Sequence, residues 1–486
     1  MHLFAFGRKL ASKKPFFLIL LLILYTVLVL GTYPIQRFWH SGIEFEQTTT
    51  ALNHETYGWL PFSSLQNRYS HLPPGYSLLV YAAIKATGWL EAGRLVSFVS
   101  LLLTLLIIHD VTRRCYADGE FKPLLSVFFL VTSPLFILLG GSINQETTAV
   151  LFASLGIWFY LWGYDTGKTG VGLFLSGTSI ALATFAKQSG YFAVIPIAGH
   201  LFYQHRTRIF RRWSTYVLVG LPTGTSLAWL YTLRKVRWAE NPETNVLWTR
   251  SILNIASQVT RMGWSGIFGT IASQFTTQVP GSTAFLAIAA LLRFDPRTDL
   301  IPLLWGISGL AYYILFLEGS IIHTHYLAVT LPGMSILAAK GLEVVVAQVE
   351  NRWRVLTKLP IHQIILVLIT LVVSATIAYS SLYFYDAHYR NASQLAEFAE
   401  QRVESGETVL VIGSELFFFL QPPPGQMEYV EYSSSIARDL NSDPRWDYVV
   451  QGHPSNPICN QEWTYYSVEA RFSNYCLLDR KHIPLP

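Results

Sequence analysis

Charge is scarce in this chain. Only 13% of its 486 residues are Asp, Glu, Lys or Arg, where soluble domains carry about 25%. Cysteine is scarcer still: three in the whole sequence exclude a disulfide-built scaffold. There is no P-loop, no GxGxxG, no internal repeat and no low-complexity tract, so nothing points to nucleotide cradling, a solenoid or a disordered tail. What is present is apolar: 51% of residues are hydrophobic and 14% aromatic, with a mean hydropathy of +0.34. A chain of this length has too little polar surface to coat a water-soluble globule and reads as a polytopic membrane protein. The net charge of +5 needs no nucleic acid, because basic residues gather at the cytoplasmic ends of spans.

Arg8, Lys9, Lys13 and Lys14 precede an apolar run from Pro15 to about Leu30. The run exceeds a signal-peptide core and no small-x-small cleavage site follows, so it reads as an uncleaved first span with a cytoplasmic N-terminus. Further spans are expected near 92–109, 123–142, 147–163, 170–187, 189–204, 215–233, 281–293, 300–317, 325–340 and 362–384. The segment 75–90 decides the count. As a span it gives twelve and places the basic loop 205–212 outside. As an amphipathic helix on the outer surface it leaves about eleven and puts Arg113, Arg114, Lys122, Lys168, Arg206 to Arg212, Arg293, Arg297, Lys340, Arg352, Arg354 and Lys358 on one side. The outer connections 143–146, 188–190 and 318–324 then hold no Lys or Arg. The expected architecture is an all-α membrane domain over 1–384, with outer loops at 34–91 and 234–280. A small extracytoplasmic α/β domain follows over 385–486. In that tail Leu395, Phe398, Ala399 and Val403 share a helical face, 408–412 and 448–450 read as strands, and Cys459 and Cys476 can pair.

Under this topology the unusual polar residues converge on the outer face. Glu44 and Glu46 follow span one, ahead of a Thr-rich helical stretch. A carboxylate there can take a proton from an acceptor hydroxyl or bind a divalent cation, or it can be a solvated helix start. Glu146 is the sole charge between 123 and 164. Lys187 ends a span on the outer side, against the positive-inside bias, which asks for an anionic partner. His323 and His325 flank Thr324 in an H-x-H that suits phosphate or metal. Arg68 and His71 precede Pro73-Pro74 and can reach an anion. Together they describe a site for an anionic, lipid-borne substrate. The competing class is a transporter or lipid-linked glycan flippase, which would show inverted half-repeats and broken helices at mid-membrane.

The chain resembles the GT-C superfamily of membrane glycosyltransferases, in particular its protein O-mannosyltransferase and lipid A aminoarabinose transferase branch. The residues that carry the likeness are Ile43-Glu44-Phe45-Glu46-Gln47, His71-Leu72-Pro73-Pro74-Gly75-Tyr76, Ala92-Gly93-Arg94-Leu95, Glu146, Lys187, and His325-Tyr326-Leu327 with Pro332 beyond, across roughly 15–345. The resemblance implies a GT-C-like fold. It implies transfer of a sugar from a polyprenyl-phosphate carrier to a lipid, glycan or protein acceptor on the extracytoplasmic face, usually with inversion. It further implies a first-loop carboxylate, aligned here on Glu44 with Glu46 as the alternative, and Glu146 as its partner. Lys187, His323, His325, Tyr326, Arg68 and His71 become donor-phosphate groups, and Glu44 with Glu146 the residues to hold a cation if one is used. The family's first-loop residue is usually Asp, whereas both candidates here are Glu. A bacterial inner membrane fits this reading.

Overall fold

The structure, a computed structural model, describes residues 14–31, 41–63, 68–69, 72–117, 121–211, 213–240, 259–260, 263–273, 275, 279, 281–316, 324–353, 390–404, 407–412, 426–430, 440, 446–451, 459, 462, 464–472 and 475–480. It is mostly helical. Helix α1 spans Lys14–Gly31 and α2 Ser41–Tyr57. A two-residue hairpin of β1 (Phe62–Ser63) and β2 (Arg68–Tyr69) precedes α3, Gly75–Thr87. At 1.5 Å per residue α3 is only about 20 Å long, short of the roughly 30 Å hydrocarbon core.

The helices that follow are α4 (Ala92–Cys115), α5 (Lys122–Val131), α6 (Pro134–Gly140), α7 (Gln145–Asp165) and α8 (Thr169–Ala186). Next come α9 (Val194–His205), α10 (Trp213–Glu240), α11 (Gly281–Ala290), α12 (Pro296–Leu315) and α13 (Leu331–Trp353). Among the described residues five helices, α4, α7, α8, α12 and α13, are long and apolar enough to cross a membrane. A sixth span arises if α5 and α6 count as one.

Three expected spans take a different form. The run 123–142 is broken, its halves bent by 69°, because Pro134 has no amide hydrogen to continue the ladder and holds Ser133 extended at ψ 121°. The run 189–204 opens as a 3₁₀ turn over Gln188–Ala193 before α9. The run 325–340 opens as another over Thr324–Val329 before α13. The last expected span, 362–384, lies outside the described residues. The core between these helices is tightly filled, with Tyr25, Leu105, Ile157, Ile180, Ile197 and Trp305 all essentially without solvent contact.

In the C-terminal region α14 (Arg390–Arg402) buries Leu395 and Ala399 and leaves Phe398 half-buried. Five strands form one sheet: β3 (Thr408–Ile412), β4 (Gln426–Val430), β5 (Tyr448–Gln451), β6 (Tyr466–Phe472) and β7 (Tyr475–Arg480). Their order is β4-β3-β5-β7-β6, parallel across β4-β3-β5 and antiparallel across β5-β7-β6. Cys476 on β7 is bonded to Cys459, and both are buried against Trp446 and Tyr466. Cys115, the remaining cysteine, is a buried free thiol.

Candidate active site

Helix α2 fixes the two first-loop carboxylates on different sides. Its inward stripe is Glu44, Gln47, Thr48 and Ala51, an i, i+3, i+4, i+7 set that is almost wholly buried. Glu46 is two residues on from Glu44, hence about 200° around the helix, and is half-buried.

Glu44 is fully enclosed. Arg94 in the first turn of α4 donates to both of its oxygens, Nε to Oε1 at 3.0 Å and Nη2 to Oε2 at 2.8 Å. The Ile143 amide adds a third donor to Oε1 at 2.7 Å. Glu91 lies on the far side of the guanidinium at 3.8 Å. Burial pushes the Glu44 carboxyl above the usual carboxylate range, and Arg94 and the Ile143 amide pull it back only in part. Glu44, the expected general base, therefore has both oxygens committed and no solvent contact.

Glu146 sits in the first turn of α7, behind an Asn144 cap whose side chain accepts from the Glu146 amide at 2.9 Å. Its side chain is also enclosed. Lys187 Nζ is 2.6 Å from Oε1, and the Ser189 hydroxyl donates to Oε2 at 2.8 Å. Lys187 is placed by the end of α8, where the backbone turns extended before the 3₁₀ segment. Helix α3 butts against that end: a Cβ on Gly75 would meet the Phe185 carbonyl oxygen at 2.6 Å, so glycine alone fits there. The ammonium also faces the Tyr326 ring at 4.3 Å from its centroid. Tyr326 packs on Tyr312 at 5.3 Å and on the buried His325 at 4.9 Å.

Of the expected residues, the fold gathers Glu146, Lys187, His325 and Tyr326, and places Glu44 in a separate pair with Arg94. The backbone of Arg68 lies in β2; its side chain, His71 and His323 lie outside the described residues. Ala149, Val150, Ala153, Gly190, Trp305 and Val329 line a small apolar cavity too tight for water.

Two residues in this arrangement had no assigned role in the sequence. Ser189 follows Lys187 closely and carries no pattern that marks it. Arg94 did carry one, since a guanidinium in the first turn of an apolar span must find a counter-charge. A cation bound by Glu44 and Glu146 would have to displace Arg94 and Lys187. Among the described residues no three His, Cys, Asp or Glu side chains come close enough to hold a metal.

Residues 73–229 match the protein-family profile described as dolichyl-phosphate-mannose-protein mannosyltransferase. Among solved structures the chain is similar to ArnT from Cupriavidus metallidurans in the apo state, at 16% identity over 94% of this chain and 97% of that one, with a TM-score of 0.54. ArnT from the same organism bound to undecaprenyl phosphate is similar at 14% identity over the same 94% and 97%, with a TM-score of 0.55. The Archaeoglobus fulgidus oligosaccharyltransferase tethered with an acceptor peptide aligns at 12% identity over 90% and 69%, with a TM-score of 0.49. No curated protein sequence matches significantly. At these identities the likeness to ArnT is one of fold, and it extends over nearly the whole of both chains.

Proposed function

We propose that this chain is an integral membrane glycosyltransferase that moves a sugar from a polyprenyl-phosphate carrier to an acceptor on the outer face of the membrane, with inversion. The observation that carries this reading is the buried Glu146–Lys187 pair at 2.6 Å, set against the Tyr326 ring. The family match over 73–229 and the ArnT-like fold support it. An inverting displacement needs a base on the acceptor side and a cation for the leaving phosphate. The acceptor oxygen attacks the anomeric carbon and its proton passes to Glu46. The bond from that carbon to the phosphate oxygen breaks, and Lys187 meets the charge left on the polyprenyl phosphate. Glu46 takes the base role rather than Glu44, whose oxygens are held by Arg94 and Ile143. Glu146 keeps the ammonium in place between turnovers. A polyprenyl-linked donor accounts for a catalyst built from membrane helices, and the broken span at Pro134 comes without the internal repeat that a transporter or flippase would show.

The reading includes about eleven spans over 1–384 and the interfacial helix α3. It further includes a cytoplasmic N-terminus, an outer α/β domain over 385–486, and residence in a bacterial inner membrane. The Cys459–Cys476 bond supports an oxidising outer compartment for that domain. The acceptor is a lipid, a glycan or a protein. The test is a panel of radiolabelled polyprenyl-phosphate sugars offered to membranes containing the protein. Transfer above control membranes supports the reading, and none with any donor and acceptor pair sinks it.

A further inference from the structure

The first turns of α4 carry Arg94, Ser97 and Ser100, a polar stripe at three-residue spacing, all buried. Each makes a contact to one of the two segments that hold the site carboxylates. Arg94 grips Glu44 through both guanidinium nitrogens at 3.0 and 2.8 Å. Ser97 accepts from the Asn144 amide at 3.2 Å and from the Thr147 hydroxyl at 3.3 Å, and meets the Tyr76 hydroxyl at 2.8 Å. Ser100 meets the Thr148 hydroxyl at 3.1 Å. Gly93 lets this face close up, since a Cβ there would strike Ile143 Cγ2 at 2.8 Å and Val80 Cγ1 at 3.0 Å. The Ile143 amide then reaches the same Glu44 oxygen that Arg94 Nε holds. Glu44 thus ties the two segments together through Arg94 and the Ile143 amide, with Glu46 two residues along one and Glu146 three residues along the other.

We infer that Arg94 is a positioning residue of the site. Through Glu44 it sets where α2, and so the Glu46 carboxylate, stands relative to the start of α7 and Glu146. The inference rests on the transferase reading and deepens it, because it gives Glu44 and Arg94 work without contact to substrate. A planar fork on a carboxylate fixes direction as well as distance, which a lysine ammonium cannot do. Displacements near 1 Å between catalytic groups cost on the order of 100-fold in rate, so a loosened α2 should slow transfer without touching the phosphate site.

The experiment compares wild type, Arg94→Lys and Glu44→Gln by two readouts. One is kcat alongside the Kd for undecaprenyl phosphate. The other is the spin-label distance between Leu52→Cys on α2 and Val99→Cys on α4 in a Cys115→Ser background. The expected result is a kcat lowered about 10- to 100-fold in both variants, a Kd within about twofold of wild type, and a shifted or broadened distance distribution. A merely structural pair would lower the yield of folded protein and leave kcat per folded molecule unchanged. That result, or an unchanged distance distribution, overturns the inference. If the wild type transfers no sugar the functional reading falls, while the label distances still decide whether Arg94 sets the place of α2.

Discussion

Lys187 stands between an anion and an aromatic face: its Nζ is 2.6 Å from Glu146 Oε1 and 4.3 Å from the centre of the Tyr326 ring. With both side chains buried, the pair neutralises itself, and an incoming phosphate competes with Glu146 for the ammonium. Glu146→Gln removes the competitor and should tighten binding of fluorescent undecaprenyl phosphate while lowering transfer. Lys187→Ala should weaken the same binding by about 1.5–3 kcal/mol, the size of a charge-assisted hydrogen bond, or roughly 10- to 150-fold in Kd. If Glu146→Gln weakens binding instead, the carboxylate orients the lysine for phosphate rather than competing with it.

The second prediction concerns the base. Glu46→Gln keeps shape and hydrogen bonding but removes the basic charge, so transfer should fall by about 10²–10⁴-fold with donor binding retained. Its effect should also remove the acid limb from the pH profile of kcat, which Glu44→Gln should leave in place. Near wild-type transfer in Glu46→Gln would return the base role to the Glu44 position. Full activity in both variants would take catalysis out of the first loop altogether.

The spans were legible because runs such as 92–109 and 170–187 are apolar over a bilayer's depth, and α4 and α8 lie on them. The break in 123–142 was also visible in principle, since Pro134 stands inside the run, but hydropathy averaging hides a single residue. The two first-loop carboxylates could not be told apart, because their difference comes from the neighbours they face. The deciding partner, Arg94, is fifty positions away from Glu44 in sequence, and only packing brings α4 against α2. The convergence of Glu146 and Lys187 was inferable from topology; their direct pairing, and the Ser189 hydroxyl that completes it, were not.

A third prediction follows from His54, on helix α2. Its Nδ1 meets the Gly58 carbonyl at 2.7 Å and its Nε2 the Ser77 hydroxyl at 2.9 Å, so it docks α2 onto α3. Burial lowers its pKa from the ordinary 6.5, and the hydrogen bond to Gly58 recovers only part of that. The unfolded chain therefore takes up the proton first as pH falls, and stability rises with pH wherever the unfolded state binds more protons. The contribution of His54 is fully present above about pH 6.5 and is lost as pH drops toward the lowered folded value. The melting temperature of detergent-solubilised protein should fall between pH 7.5 and 5.5, and His54→Gln should show a smaller fall. An equal fall in both would mean that other groups set the acid sensitivity.

Topology gives the fourth. The proposed eleven-span arrangement, drawn from the loop charges, predicts a cytoplasmic Thr207 and an outer Ser434. Cysteines introduced at these positions should react with an impermeant thiol reagent from opposite sides of sealed vesicles. Labelling of both from one side would overturn the eleven-span arrangement, since an odd number of crossings separates residues 207 and 434 within it.

The last prediction tests a buried cluster at the opposite end of the helices. Asp299, in the first turn of α12, is fully buried. It is paired with Lys340 of α13, accepts from the Tyr116 hydroxyl at 2.9 Å, and accepts from the Asp295 amide at 2.7 Å. Lys340 also donates to the Arg293 carbonyl at 2.7 Å. The cluster therefore joins the end of α4, the segment after α11, and helices α12 and α13. Lys340→Met leaves an uncompensated buried carboxylate, a loss of about 3–5 kcal/mol. Asp299→Asn removes the charge but keeps an acceptor for Tyr116, and should be milder. In Asp299→Asn/Lys340→Met neither charge remains, so most of the Lys340→Met loss should be recovered, a coupling read by a double-mutant cycle on thermal inactivation. Additive losses would mean that Lys340 acts chiefly through its bond to the Arg293 carbonyl, and that the ion pair with Asp299 contributes little to holding these helix ends together.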